Sequence, residues 1–217
     1  MRNQSFELNN FYHVYNRGVE KRDVFMDDED RAMFVNHLYS LNNKHSHPNL
    51  SRNKDYMKIH REPIVKIHGF CLMNNHYHFL LEEIVENGIS RFMQKIGTGY
   101  TMYFNKKYDR SGSLFQGKYK IKHINTDAHF NYILNYIHLN PHDEGRTFII
   151  DELLRYKWSS LRAYILPEKS SFQSVVETDY FLNYFNGRDN YIKQLGKSAI
   201  YQKDKFINAD ILMDVLD

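Results

Sequence analysis

Two β-rich runs separated only by Asn74-Asn75 constrain the fold of this chain more than any other feature. Ile64 to Met73 and His76 to Leu81 are dense in branched and aromatic residues, and Asn-Asn is a turn dipeptide. The pair predicts a β-hairpin, with His76 and His78 near the start of its second strand. A lone hairpin is marginal in water, so the other periodic segments must supply its neighbours.

Those segments fall in a definite order. Phe11 to Tyr15 reads as a strand that ends in the turn signal Asn16-Arg17-Gly18. Asp27-Asp28-Glu29-Asp30 opens a helix whose apolar stripe is Met33, Phe34, His37 and Leu38. Residues 42–63 are polar and read as a surface loop. Gly88 to Lys107 is a helix, with Ile89, Phe92, Met93, Ile96, Tyr100 and Tyr103 at 3–4 spacing. Tyr119 to Ile124 alternates like a strand, and Thr126 caps a helix that stops near Asn140-Pro141. The order β-α-β-β-α-β-α predicts an α+β fold: a ferredoxin-like (RRM-like) antiparallel sheet with packed helices. Residues 1–145 form the expected core and 146–217 a C-terminal extension packing on it. Trp158 and Leu161 are its anchors. Its helix runs from Asp179 to Leu195 with a break near Gly187, and the tail from about Lys197 is expected to be mobile.

Composition removes several function classes. One cysteine, Cys71, rules out an intrachain disulfide and a cysteine-based zinc ribbon. Lying in an apolar run, it reads as a small core residue. The N-terminus has no apolar signal core, and no stretch approaches the ~18 apolar residues of a membrane span. A cytoplasmic protein with no membrane partner is the expectation. Lys and Arg total 29 against 26 Asp and Glu, a net charge of +3 that permits a nucleic-acid partner without demanding one.

The candidate site combines the hairpin with the last core helix. On a strand, His76 and His78 share one face and Tyr77 takes the other. Two imidazoles side by side supply part of a divalent metal site. On the helix, Phe130, Ile133, Leu134 and Ile137 make the buried stripe, while His129, Tyr132, Tyr136 and Asn140 lie on a neighbouring flank. Tyr136 and Asn140 are one turn apart, roughly 5–6 Å. If that flank faces the histidines, the set His76, His78, Asn140 and Tyr136 suffices for a metal-dependent tyrosine nucleophile. A divalent ion neutralises a phosphodiester oxygen, and covalent catalysis divides strand cleavage into two reversible transesterifications. Mg²⁺ or Mn²⁺ is the expected ion, though two imidazoles select among metals less sharply than carboxylates do.

These motifs resemble the single-tyrosine HUH transposases, most nearly the REP-associated tyrosine transposase branch. His76-Tyr77-His78 matches the His-hydrophobic-His element, with an aromatic middle residue. Tyr136-Ile137-His138-Leu139-Asn140-Pro141 matches the YIxxNP helix motif. The likeness extends over about residues 10–195, through YHVYNRG, RFMQKIGTGYTMYFNKKY, GSLFQGKYK, YKWSSLRAY and FLNYFNGRDNYIKQ. It implies cleavage and rejoining of single-stranded DNA, often hairpin-bearing, through a 5′-phosphotyrosine on Tyr136. It implies His76, His78 and Asn140 as metal ligands, and Asn16 and Arg17 as DNA contacts. Relatives act as monomers or homodimers.

Lys118, Lys120 and Lys122 share one face of a strand, and Arg91 and Lys95 one flank of a helix; both sets are candidate DNA contacts. Tyr100, Tyr103 and Tyr132 are the rival tyrosines. Two other readings remain: a non-catalytic hairpin-binding relative, and a metal-dependent hydrolase that activates water.

Overall fold

Alternation along the strands decides the architecture. The computed structural model describes residues 6–45, 61–141 and 149–205. The strands are β1 (Phe11–Arg17), β2 (Val65–Met73), β3 (His76–Glu83) and β4 (Lys120–Ile124). They form one antiparallel sheet in the order β2-β3-β1-β4, the order of a split βαβ fold. The hairpin β2–β3 turns at Asn74-Asn75, as the dipeptide predicts.

The sheet has two differently covered faces. Tyr77, Phe79 and Leu81 of β3 point to one of them, where α1 (Asp28–Ser40) and α2 (Gly88–Lys107) pack. Phe34 of α1 meets the rings of Tyr77 and Phe79, and Tyr100 of α2 meets that of Phe34. Asp27 caps α1 by accepting from the Asp30 amide at 2.8 Å. The Glu83 carboxylate caps α2, accepting from the amides of Gly88 and Ile89 at 3.0 and 2.7 Å.

The opposite face carries His76, His78 and Leu80 of β3, with His13, Tyr15 and Arg17 of β1 and Lys120 and Lys122 of β4 alongside in register. Helix α3 (Asp127–Leu139), capped by Thr126, crosses this face over β2 and β3. Its buried side contains Ile133, Leu134 and Ile137, as the 3–4 spacing predicts.

The extension holds α4 (Ile150–Arg155), α5 (Leu161–Ile165), α6 (Asp179–Tyr184) and α7 (Arg188–Lys205). It runs along edge strand β2: Leu72 N–H donates to Trp158 O at 2.9 Å and Ser160 N–H to Phe70 O at 2.9 Å. An otherwise open sheet edge is thereby covered. The helix break falls at Gly187, which adopts φ 101°. Helix α7 then runs to Lys205, well past the expected end at Leu195. The expected junction at 145/146, most of the loop at 42–63 and the tail beyond Lys205 lie outside the described residues. Among the described residues, no helix is long and apolar enough to cross a membrane.

Candidate active site

His76, His78, Tyr136 and Asn140 line one cavity of about 360 Å³. Its other walls are Tyr15, Asn16, Arg17, Lys21, Gln116 and Lys120. Two positions on β3 thus meet Tyr136 of α3 and its C-cap Asn140, because α3 lies over β3 with its Tyr136 flank toward the histidine row.

The rings are in contact. Tyr136 stands edge-on to His78, with centroids 5.5 Å apart and planes at 87°, and to His13 at 5.8 Å. His76 and His78 are 5.1 Å apart, at 89°. Asn140 Nδ2 donates to the Tyr136 backbone carbonyl at 2.9 Å. Asn140 also borders the cavity beside His76 and Tyr136.

A third histidine belongs to this cluster and was missed in the sequence. His13 is 2 % exposed, and its Nε2 lies 2.9 Å from His78 Nδ1. It sits in the aromatic run Phe11-Tyr12-His13-Val14-Tyr15, where nothing local separates a site residue from a core residue. The β1–β3 register, which places Tyr15 opposite His78, is what brings it there.

Burial sets the protonation of the cluster. It pushes His13 down to about 3, with Lys122 adding a smaller push. It also holds His78 well below the ordinary imidazole range, helped by the charges of His13 and His76. His76 is lowered by burial and then by Arg17, against the Asn140 contact. The imidazoles are therefore neutral at neutral pH, the form that ligates metals. Burial raises Tyr136 above the usual phenol value, so the resting side chain is protonated.

This donor set fits a divalent cation. The two neutral imidazoles each have a lone pair, and the Asn140 amide has its oxygen left once Nδ2 is engaged. Among the described residues there is no cluster of three or more His, Cys, Asp or Glu suited to a metal. The cavity lining offers histidines and amides and no carboxylate.

The basic residues divide into two groups. Arg17 and Lys120 line the cavity, and Arg17 Nε is buried without a hydrogen-bond partner, a donor that an anion would satisfy. Lys122 shares their sheet face, opposite His13. Lys118 precedes β4, its ammonium over the Tyr119 ring at 5.6 Å. Asn16 borders the cavity, but its amide is bonded to Gly117 O at 3.3 Å and to the Arg17 amide at 2.9 Å. Arg91 and Lys95 are not brought to this site. They lie on α2, beyond the other face of the sheet, and reach the carbonyls of Lys44 and Asn43 at 3.4 and 2.7 Å. A helical wheel finds a basic flank but not the sheet face on which its helix packs.

The rival tyrosines are placed elsewhere or less favourably. Tyr100 is buried against α1 and donates to Val24 O at 2.6 Å. Tyr103 reaches Asp30. Tyr132 touches the Tyr136 ring at 5.7 Å, one turn further from Asn140.

Comparison with known proteins adds one decisive match. No curated protein matches the chain. A solved structure described as a REP-associated tyrosine transposase bound to a REP hairpin is similar at 11% identity, with a TM-score of 0.46 over 76% of this chain and 83% of that one. The family described as "Transposase IS200 like" matches residues 12–140, a span that begins just before His13 and ends on Asn140. The chain therefore belongs to the IS200-like transposase family.

Proposed function

We propose that this protein cleaves and rejoins single-stranded DNA with Tyr136 as the nucleophile. The observation that carries the reading is the edge-on contact of Tyr136 with His78 in the cavity that His76 and Asn140 also line. A tyrosine used only for packing would not need to border a cavity walled by arginine and lysine.

The chain's own groups account for most of the chemistry. Arg17, Lys21 and Lys120 draw a phosphodiester into the cavity and stabilise charge that grows on its oxygens. His76, His78 and the Asn140 oxygen would hold a divalent ion, Mg²⁺ or Mn²⁺, which would polarise the phosphorus and favour the phenolate. Tyr136 Oη forms the new bond to phosphorus and gives its phenolic proton to solvent, the bond from phosphorus to the 3′ oxygen breaks, and that oxygen takes a proton from solvent. A 5′-phosphotyrosine and a free 3′-hydroxyl result. Attack of a 3′-hydroxyl on the phosphotyrosine reverses the step and can join a different strand.

Tyr136 meets the histidines of its own chain, which supports a monomer with a complete site. A DNA substrate is in keeping with a cytoplasmic protein, and the motif resemblance favours hairpin-bearing DNA. The histidines and Tyr136 lie on residues 1–145, with the described residues 149–205 serving as a brace. The test is incubation of the protein with hairpin-bearing single-stranded DNA and Mn²⁺, followed by denaturing electrophoresis. A covalent adduct is expected for the wild type and none for Tyr136→Phe. Cleavage without any adduct, equal in Tyr136→Phe, would mean that water is the nucleophile. Binding without cleavage would leave a hairpin-binding relative.

A further inference from the structure

We infer that His13 and Asn75 are positioning residues that set the ring tautomers of His78 and His76, so that both rings offer Nε2 to the cavity. The inference rests on the metal-dependent reading above and extends it to two residues outside the ligand set.

Asn75 gives the clearer case. Its Nδ2 donates to the backbone carbonyl of Lys21 at 3.1 Å. A carbonyl only accepts, so this bond fixes which end of the amide is which. The oxygen is left facing His76 Nδ1 at 2.6 Å. An amide oxygen donates nothing, so the proton belongs on Nδ1. A neutral imidazole has one N–H, and Nε2 is therefore the nitrogen with a free lone pair.

The turn that carries Asn75 is clasped along its length. Gly18 N–H donates to Asn75 O at 2.9 Å, and the amides of Val24 and Phe25 donate to Asn74 O at 2.8 and 3.0 Å. Arg31 Nη2 donates to Asn74 Oδ1 at 2.6 Å. Gly18 makes the clasp feasible: a Cβ there would lie 2.3 Å from Arg22 O and 2.8 Å from Val24 Cγ1. The amide is thus held by the segment that also presents Arg17 and Lys21 to the cavity.

His13 is placed to do the same for His78. Its Nε2 is 2.9 Å from His78 Nδ1, and both rings are almost fully buried. One nitrogen must donate and the other accept. If His78 Nδ1 donates, its Nε2 is free for a metal. If His13 donates, His78 carries its proton on Nε2 and has no lone pair there to offer. An arrangement that leaves a ligating histidine's second nitrogen donating to a fixed acceptor is the usual way ring orientation is enforced.

The test uses the full-length protein, first without metal. Long-range ¹H–¹⁵N spectra of histidine-labelled protein are expected to report the Nδ1–H tautomer for both His76 and His78. Mn²⁺ affinity is then measured by electron paramagnetic resonance. His13→Leu and Asn75→Ala are expected to weaken Mn²⁺ binding about 10–100-fold. His13→Gln and Asn75→Asp each keep an oxygen acceptor and are expected to stay within a few-fold of wild type. An Nε2–H tautomer at either ring in the wild type overturns the inference, as does unchanged affinity in both His13→Leu and Asn75→Ala. If His13→Leu does not fold, the wild-type spectra and the Asn75 pair decide the matter. If the wild type binds no Mn²⁺, the metal reading fails, and the tautomer spectra still judge the positioning separately.

Discussion

Gly69 in β2 and Leu134 in α3 approach so closely that a Cβ on Gly69 would lie 2.7 Å from Leu134 Cδ1. Leu134 is fully buried and has no room to swing aside. This contact sets the height of α3 above the sheet, and Tyr136 rides on the same helix two residues on. Gly69→Ala is expected to cost about 1–3 kcal/mol by overpacking. It should also reduce adduct formation more than binding, because a small displacement of a reacting group is expensive in rate. Leu134→Ala alone should cost about 2–5 kcal/mol. The double variant should cost clearly less than the sum, since each change relieves the other. Urea unfolding of the four proteins measures the coupling, and simple additivity would refute the wedge.

Acid should unfold this protein at a higher pH than its carboxylates alone would suggest. Burial holds His13 near 3, His37 near 4 and His138 near 3. Unfolded, these rings regain a pKa of about 6.5. Below that value the unfolded chain binds more protons than the native one, so stability is intact above it and is lost as pH falls. At pH 5.5 each ring should cost roughly 1.4 kcal/mol, and the three together about 4 kcal/mol. The urea midpoint should be flat from pH 8 to 7 and fall steeply below 6.5. His37→Asn should flatten that slope by about one proton, and an unchanged slope would remove His37 from the account.

What could be read in advance follows from what is local. Periods of 2 and 3.6 residues are properties of single segments. They were enough to place His76 beside His78 and Tyr136 beside Asn140, and to bound α2 and α3. The β2–β3 turn was legible because Asn74-Asn75 has its own backbone chemistry. His13 was not, because its role depends on the register between β1 and β3, sixty-five residues apart in the chain. The wedge at Gly69 and the route of residues 158–160 along β2 were hidden for the same reason. The carbonyl contacts of Arg91 and Lys95 behind the sheet were hidden because the pattern of a helix is silent about which sheet face receives it.

His138 argues that the core and the extension fold together. It is fully buried, with Nδ1 2.6 Å from the Tyr191 hydroxyl and Nε2 2.6 Å from Ser160 Oγ. It therefore ties α3 to α7 and to the segment on the edge of β2. His138→Leu would leave the buried Tyr191 hydroxyl short of its partner, at about 1–3 kcal/mol, while Ser160 Oγ keeps its bonds to Phe70. A chain truncated to residues 1–145 would lose those partners and expose the β2 edge as well. It is expected to be aggregated or molten, with weak near-ultraviolet circular dichroism. A truncated chain that unfolds cooperatively would show the core to be independent.

The division of the basic residues can be read in the salt dependence of DNA binding. Each phosphate neutralised by a cation releases counterions and adds about 0.7 to the slope of log K against log salt for a single strand. Arg17 and Lys120 line the cavity, and the Arg17 Nε has no partner within the protein. Arg17→Ala and Lys120→Ala should each weaken binding of a single-stranded oligonucleotide and lower the slope by roughly that amount. Arg91 and Lys95 are engaged with backbone carbonyls behind the sheet. Arg91→Ala and Lys95→Ala should leave the slope unchanged within error. Fluorescence anisotropy between about 50 and 200 mM salt covers the range where the slope is steep. An equal loss of slope in all four variants would mean that the strand wraps around both faces of the sheet. No loss in Arg17→Ala would mean that its guanidinium supports the strand β1 and not the phosphate.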